Sequence, residues 1–359
     1  MVADVTVVGY GLVALASTLA LADRGLSVRI VGTKHRGEAS SAAGGILAPS
    51  ISPPEDALAS AFMRSARDFY PGYVAALVER TGIAVPLNRL GILQLALDEI
   101  QAEALRASIP ERSRWLDRAA LAREEPAVAH AVGAVWHPDD GAVEPLALMD
   151  ALSAAVARHE GVAVAREDVC SIDVTELGCN VLTDRESRFA SDHLVLAAGA
   201  WTPLIVGAGE GAAAIEPVRG EMVALDAAPV RHVVYGAAGY LIPRHDGHTV
   251  AGSTSEHAGF DADVTDHGVA TISAEAIRTC PTLASAAISS TWAGLRPMTP
   301  DALPIIGPDP ERPRLSYACG HSRNGILLAP ITAEVVADLV TGSEPRHDLT
   351  RFRPGRFSR

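Results

Sequence analysis

VTVVGYGLVALASTLALADRGLSVRIVGT, residues 5–33, reads as one strand–turn–helix–strand unit and decides the fold. Val5 to Val8 are four β-favouring residues, apolar on both faces as in an interior parallel strand. Gly9-Tyr10-Gly11-Leu12-Val13-Ala14 follows as a G-x-G-x-x-A turn. A helical run from Ala14 to Asp23 closes at Gly25, and a second strand covers Ser27 to Val31. In this frame Gly9 permits the tight turn and Gly11 lets the backbone approach a pyrophosphate. Ala14 allows close helix–strand packing, and the phosphates sit on the helix N-terminus. The expectation is an α/β fold with a dinucleotide site. One part of the fingerprint is absent. The acid expected at the end of the second strand, which holds the ribose hydroxyls, is replaced by Gly32, with Thr33 and Lys34 after it. The nucleotide is then held through Thr33 or Lys34, or elsewhere along the chain, and an NAD enzyme fits poorly.

The 359 residues suggest about two domains and a large core. A net charge of −13 disfavours nucleic acid and anionic membrane surfaces as partners. No apolar run reaches the length of a membrane span. Cys170, Cys179, Cys280 and Cys319 lack paired spacing and read as reduced, packed thiols, without zinc or disulfides. A strand pattern from the first residues and reduced thiols lead to the expectation of a cytoplasmic protein.

Ser40 to Pro49 (SSAAGGILAP) brings six small residues together, so the backbone can run against a flat ligand. Ala57 to Glu79 has helical spacing, with Leu58, Phe62, Ala66, Phe69 and Tyr73 on one stripe. Leu90 to Leu97 reads as a strand, and Ala102 to Glu125 as a charged helical run. His137 to Pro145 is turn chemistry, in which Asp139 and Asp140 cap amides rather than bind metal. Pro145 opens a helix to Arg158. His193 to Trp201 is a buried strand ending beside the nucleotide. Four short segments between Glu216 and Ser253 suggest an antiparallel sheet. The Arg-rich tail, Arg351 to Arg359, is expected to be solvated and partly disordered.

Seven stretches then fall in one order: SSAAGGILAP (40–49), PDDGAVEP (138–145), LAAGAW (196–201), PVRGEM (217–222), YLIPR (240–244), WAGLRPMTPDALPIIG (292–307) and GHSRNGILLAP (320–330). Together they resemble the FAD-dependent D-amino-acid oxidase superfamily over nearly the whole chain. The last two resemble its glycine oxidase branch, which serves thiamine biosynthesis in bacteria. The resemblance implies a Rossmann-like FAD-binding domain (1–84, 142–216 and 291–359). It also implies a largely antiparallel-sheet substrate domain (85–141 and 217–290).

It implies non-covalent FAD held by Gly9, Gly11, Leu12, Val13, Thr33, Lys34, Ser41, Ala42, Ala43, Gly44, Gly45, Ile46 and Leu47. Val169, Ala198, Gly199 and Trp201 continue the set, with Arg296, His321, Ser322, Arg323, Asn324, Gly325, Ile326 and Leu327. Arg296 and Tyr240 hold the substrate carboxylate. Arg323 stands near flavin and amine, or serves structurally at the mouth of its loop. Ser255 and Ser322 replace a Met and an aromatic of glycine oxidases, which implies a roomier pocket. Arg219 and Gly220 read as the bend into the substrate domain, and His321 as a loop histidine with a satisfied hydrogen bond. The implied reaction is oxidation of a small amino acid or amine, with oxygen as acceptor, in a homo-oligomer. A sarcosine or D-amino-acid oxidase, a dehydrogenase, and a non-catalytic flavin-fold protein remain as alternatives.

Overall fold

The computed structural model describes residues 2–357, and the opening unit follows from its pattern. Strand β1 (Ala3–Val8) leads into helix α1 (Leu12–Asp23), and strand β2 (Val28–Val31) returns parallel to β1. α1 is apolar nearly all round, with Leu12 and Ala14 to Ala22 buried. Such a helix must be covered on every side. Helices α2 (Ala57–Thr81), α3 (Pro145–Arg158) and α4 (Gly325–Val340) provide the cover: α3 and α4 pack on α1, and α2 on both of them.

The first sheet runs β3 (Val162–Ala165), β2, β1, β4 (Arg188–Leu196) and Leu315–Cys319, all parallel. Ile305–Pro308 joins it antiparallel, and a hairpin of Val169–Thr175 and Gly178–Thr183 pairs with the first half of β4. β1 and β4 end together, with Val8 opposite Leu196, so the segment 197–201 emerges beside the glycine turn. This is the Rossmann-like half of the molecule.

The second sheet contains β5 (Glu216–Leu225), β6 (Tyr240–Pro243), β7 (Thr249–Gly252) and β8 (Ile288–Met298) in the order β8-β5-β7-β6. It continues through Val233–Tyr235, Ile92–Ala96, Gly133–His137 and Arg114–Asp117. Every pairing is antiparallel except that of Val233–Tyr235 with Ile92–Ala96. Residues 291–298 hydrogen-bond into this sheet through β8.

Several expectations change. The stripe on α2 is turned: Phe62 and Ala66 are buried, but Leu58 is 42% and Phe69 38% exposed. The buried face is Ala59, Phe62, Met63, Ala66, Tyr70, Val74 and Leu77, because Tyr70 and not Phe69 meets α4. The run 102–125 is two helices, Glu99–Arg106 and Arg118–Glu124, separated by the strand Arg114–Asp117, whose pairing with Gly133–His137 overrides local helix propensity. Arg219 and Gly220 lie inside the continuous strand β5 and form no bend. The tail is ordered through residue 357. Phe352 is fully buried against Phe62, and Arg351 and Arg356 pair with Asp56 and Asp301; residues 358 and 359 lie outside the described residues.

The turn 137–145 is held by its own side chains. Asp140 accepts from Ser50 N and Oγ, both at 3.1 Å, and from Arg67 Nη1 at 3.0 Å. Burial pushes its carboxyl up, against the pull of Arg67 and Ser50. Asp139 pairs with Arg112, and His137 Nδ1 lies 2.8 Å from Ser113 Oγ.

Candidate active site

Strand β1 stops at Val8, and Gly9 turns at φ +122°, where a Cβ would lie 2.3 Å from Ala197 O. Only glycine fits this crossing of the two strand ends. Gly11 is the N-cap of α1 and supplies no side-chain cap, so the first turn opens with amides in need of acceptors. Leu12 N donates to Ser40 Oγ at 3.0 Å, a contact the sequence reading missed because Ser40 lies 28 residues on.

A cavity of about 570 Å³ begins at this helix end. Gly9, Gly11, Leu12, Val13, Thr33, Ala42, Ala43, Gly44, Gly45, Ile46, Val169, Ala198, Gly199 and Trp201 line it. The run 40–49 is held along it by Trp292 Nε1, which donates to Ala42 O at 2.9 Å, and by Arg244 Nη2, which donates to Gly44 O at 3.0 Å. At the other end the lining includes Tyr240, Ser255, Arg296, His321, Ser322, Arg323, Asn324, Gly325 and Ile326.

Four expected residues are not among the lining. Lys34 is exposed and lies outside the lining, and Ser41 Oγ donates to Glu38. Leu47 and Leu327 are buried in the core of the first domain, because strand and helix periodicity turn them inward. Lining residues that sequence reasoning missed include His35, Asp168, Met222, Tyr235, Ser253 and Thr254. Of these, Met222 closes the PVRGEM stretch and Ser253 and Thr254 adjoin Ser255, whereas the other three carried no local signal.

Arg296 sits in β8, half-buried, with its guanidinium against the bare backbone of Gly220. Nη2 donates to Ser253 Oγ at 2.7 Å, and Nη1 to Thr254 O at 3.1 Å and Arg219 O at 3.4 Å. It forms no ion pair with an acid among the described residues. By contrast its neighbour Arg219 is taken up by Glu256 and Asp261. Among the described residues Tyr240 Oη has only a thioether partner, Met222 Sδ at 3.5 Å. Ser255 is exposed, and Ser253 is the serine that reaches the arginine. Arg323 is exposed and donates to Ser52 O at 2.9 Å, tying the loop after Pro49 to the loop before α4.

Ser322 is buried at φ +52°, with Thr299 Oγ1 at 3.4 Å. His321 is fully buried with Nε2 3.1 Å from Thr332 Oγ1, and burial pushes its imidazole down to about 3, so it is neutral. Burial pushes the lining thiol of Cys319 up to about 12, which keeps it protonated and a poor nucleophile.

A glycine turn at the carboxyl edge of a parallel sheet, opening into a cavity whose far end holds an arginine with no acid partner among the described residues, defines a dinucleotide-binding protein with a cationic end to its cleft. The chain belongs to the FAD dependent oxidoreductase (DAO) family, whose model matches residues 4–339. It is 35% identical to a glycine oxidase of Geobacillus kaustophilus, over 97% of this chain and 96% of that one. The crystal structure of a glycine oxidase from the same species superposes with a TM-score of 0.91 at 33% identity, covering 99% of this chain and 98% of that one. A bifunctional protein ThiO/ThiG of Synechocystis is 34% identical over 99% of this chain. The chain spans about half, 54%, of that relative's length. The family's cofactor fits what is present: a helix N-terminus whose N-cap glycine offers no side-chain acceptor, for a pyrophosphate, a cleft walled by small residues, and room beyond it for an isoalloxazine. Among the described residues no helix is long and apolar enough to cross a membrane.

Proposed function

We propose that the chain oxidises glycine, or another small amino acid or amine, at its α-carbon to an imine that water hydrolyses to an oxo-acid and ammonia. Arg296 carries this reading: a cavity-lining guanidinium with no acid partner among the described residues is a place for a substrate carboxylate. The glycine oxidase relatives, similar over nearly their whole length, support the substrate class. Bound FAD supplies the oxidation, accepting the α-hydrogen as hydride and passing the electrons to oxygen to give hydrogen peroxide.

The remaining work belongs to side chains. Arg296 offers its planar fork to the carboxylate and Tyr240 Oη adds a donor, which together aim the Cα–H into the cofactor cleft. Neutral His321 is committed to Thr332 and takes no proton, so the substrate amine enters unprotonated. The N-terminus of α4, whose Gly325 and Ile326 line the cavity, brings positive dipole to where negative charge grows. Small side chains at Ser253, Thr254, Ser255 and Ser322 leave room for substrates larger than glycine. FAD is held without a covalent bond, the lining thiol of Cys319 being protonated.

In this reading the cofactor domain comprises residues 1–84, 142–216 and the chain beyond β8, and the second sheet carries the substrate pocket. The protein is cytoplasmic and serves thiamine biosynthesis. Anaerobic mixing with glycine, followed in the flavin's visible absorption, tests it. Bleaching that recovers with peroxide when air enters is the expected result. Colour that persists with glycine, sarcosine and D-alanine alike rules out the substrate class. Bleaching that only a quinone reverses rules out oxygen as acceptor in favour of a dehydrogenase.

A further inference from the structure

No side chain fits where the fingerprint's acid is missing. A Cβ on Gly32 would lie 2.6 Å from Gly9 C and 2.9 Å from Gly9 O. The neighbouring strand brings a carboxylate to the same edge. β3 runs parallel to β2 with Ala165 opposite Val31, and Gly32 N donates to Ala165 O at 3.1 Å. The chain after Ala165 therefore leaves the sheet beside the chain after Val31.

Three residues later Asp168 meets β2's continuation. Thr33 Oγ1 donates to Asp168 Oδ1, and His35 Nε2 lies 3.1 Å from the same oxygen. The backbone of Asp168 is fixed on its other side. Its N donates to Asp184 Oδ1 at 3.0 Å, and Asp184 N donates to Asp168 O at 2.8 Å. His35 stacks on Trp201 with ring centroids 4.6 Å apart, which closes that flank. Asp168 lines the cavity together with Gly9, Gly32 and Val169. Both contacts from Thr33 and His35 fall on Oδ1, and Oδ2 has no hydrogen-bond partner among the described residues.

We propose that Asp168 is the carboxylate that binds the adenosine ribose hydroxyls of the cofactor, in place of the acid missing at Gly32, with Thr33 holding it in orientation. The inference rests on the family's FAD. A carboxylate is acceptor-only with about four lone-pair sites. Thr33 and His35 use one oxygen and leave the other for the diol, whose hydroxyls donate charge-assisted bonds. A carboxylate also repels a 2′-phosphate. Lys34, the other residue at the strand end, is exposed and outside the lining. The competing account makes Asp168 only a turn residue paired with His35, without effect on cofactor affinity.

Equilibrium titration of the full-length apoprotein, prepared by flavin removal and followed by flavin fluorescence, separates the two. Asp168→Asn keeps the shape and an acceptor for Thr33. It is expected to bind FAD about tenfold or more weakly and FMN, which has no adenosine, as wild type does. FAD with a 2′-deoxyadenosine half is expected to lose affinity for wild type and to narrow the gap between wild type and variant. Equal FAD affinity in wild type and Asp168→Asn would overturn the proposal. So would wild type that binds the 2′-deoxy analogue as tightly as FAD, a measurement that needs no variant to fold. Wild-type apoprotein that binds no FAD at all would instead overturn the cofactor itself.

Discussion

Gly220 is a residue whose missing side chain carries the site. A Cβ there would lie 2.2 Å from Arg296 Nη2 and 2.3 Å from Nη1, so the guanidinium lies flat on the strand only because nothing projects from it. Gly220→Ala must push Arg296 off its bonds to Ser253 and Thr254. The variant is expected to reproduce, in weaker form, the defect of Arg296→Met: a fall in kcat/KM of about 10²–10³-fold for the arginine variant, with FAD absorbance retained in both. Ser253→Ala removes one bond to the same fork and is expected to cost about tenfold. Steady-state kinetics with glycine check all three. Unaltered kinetics in Gly220→Ala would show that the guanidinium is not seated there during turnover. The glycine was visible in the sequence, but its role was not. The cross-strand pairing that sets Gly220 beside β8 joins residues far apart in the chain.

At the scale of elements, the cavity depends on the first turns of α4, and those depend on α2. Pro330 stands inside α4 and has no N–H, so the carbonyl of Ile326 loses its donor four residues on. Tyr70 Oη replaces it, donating to Ile326 O at 2.7 Å from the buried face of α2. Tyr70→Phe leaves a buried carbonyl unpaired and is expected to cost about 1–3 kcal/mol, read as a lower urea midpoint at constant slope. Adding Pro330→Ala returns an N–H to the ladder, so the double variant is expected to recover about 1 kcal/mol of that loss. If Pro330→Ala gives no recovery, the two residues do not share the carbonyl. This tie also explains the misplaced stripe. Spacing alone favoured Leu58 and Phe69, and the partner helix selects Tyr70 instead.

Over the whole molecule, what could be read in the sequence was what is local. The opening βαβ unit, the small-residue run at 40–49 and the antiparallel segments after Glu216 each carry their pattern within a few residues. Asp168 stayed hidden because it meets Thr33 across 135 positions, and the strand Arg114–Asp117 because its pairing overrode its propensity. The buried histidines belong to the same class, since composition counts them but only packing sets their charge. Burial holds His137 and His193 down to about 4, and His321 to about 3. Each is neutral when folded and takes a proton near pH 6.5 when unfolded. Above that pH both states are neutral and stability does not depend on these groups. Below it the unfolded chain binds protons that the native chain refuses, so stability falls as pH drops from 6.5 towards 4, by about 1.4 kcal/mol per pH unit for each histidine. Urea midpoints at fixed excess FAD should therefore be level from pH 8 to 7 and decline steeply from pH 6 to 5, before most carboxylates titrate. His321→Gln is expected to flatten the decline, whatever its effect at neutral pH. A midpoint that stays level down to pH 5 would mean that these imidazoles are protonated in the folded protein, and that His321 is not the neutral partner of Thr332.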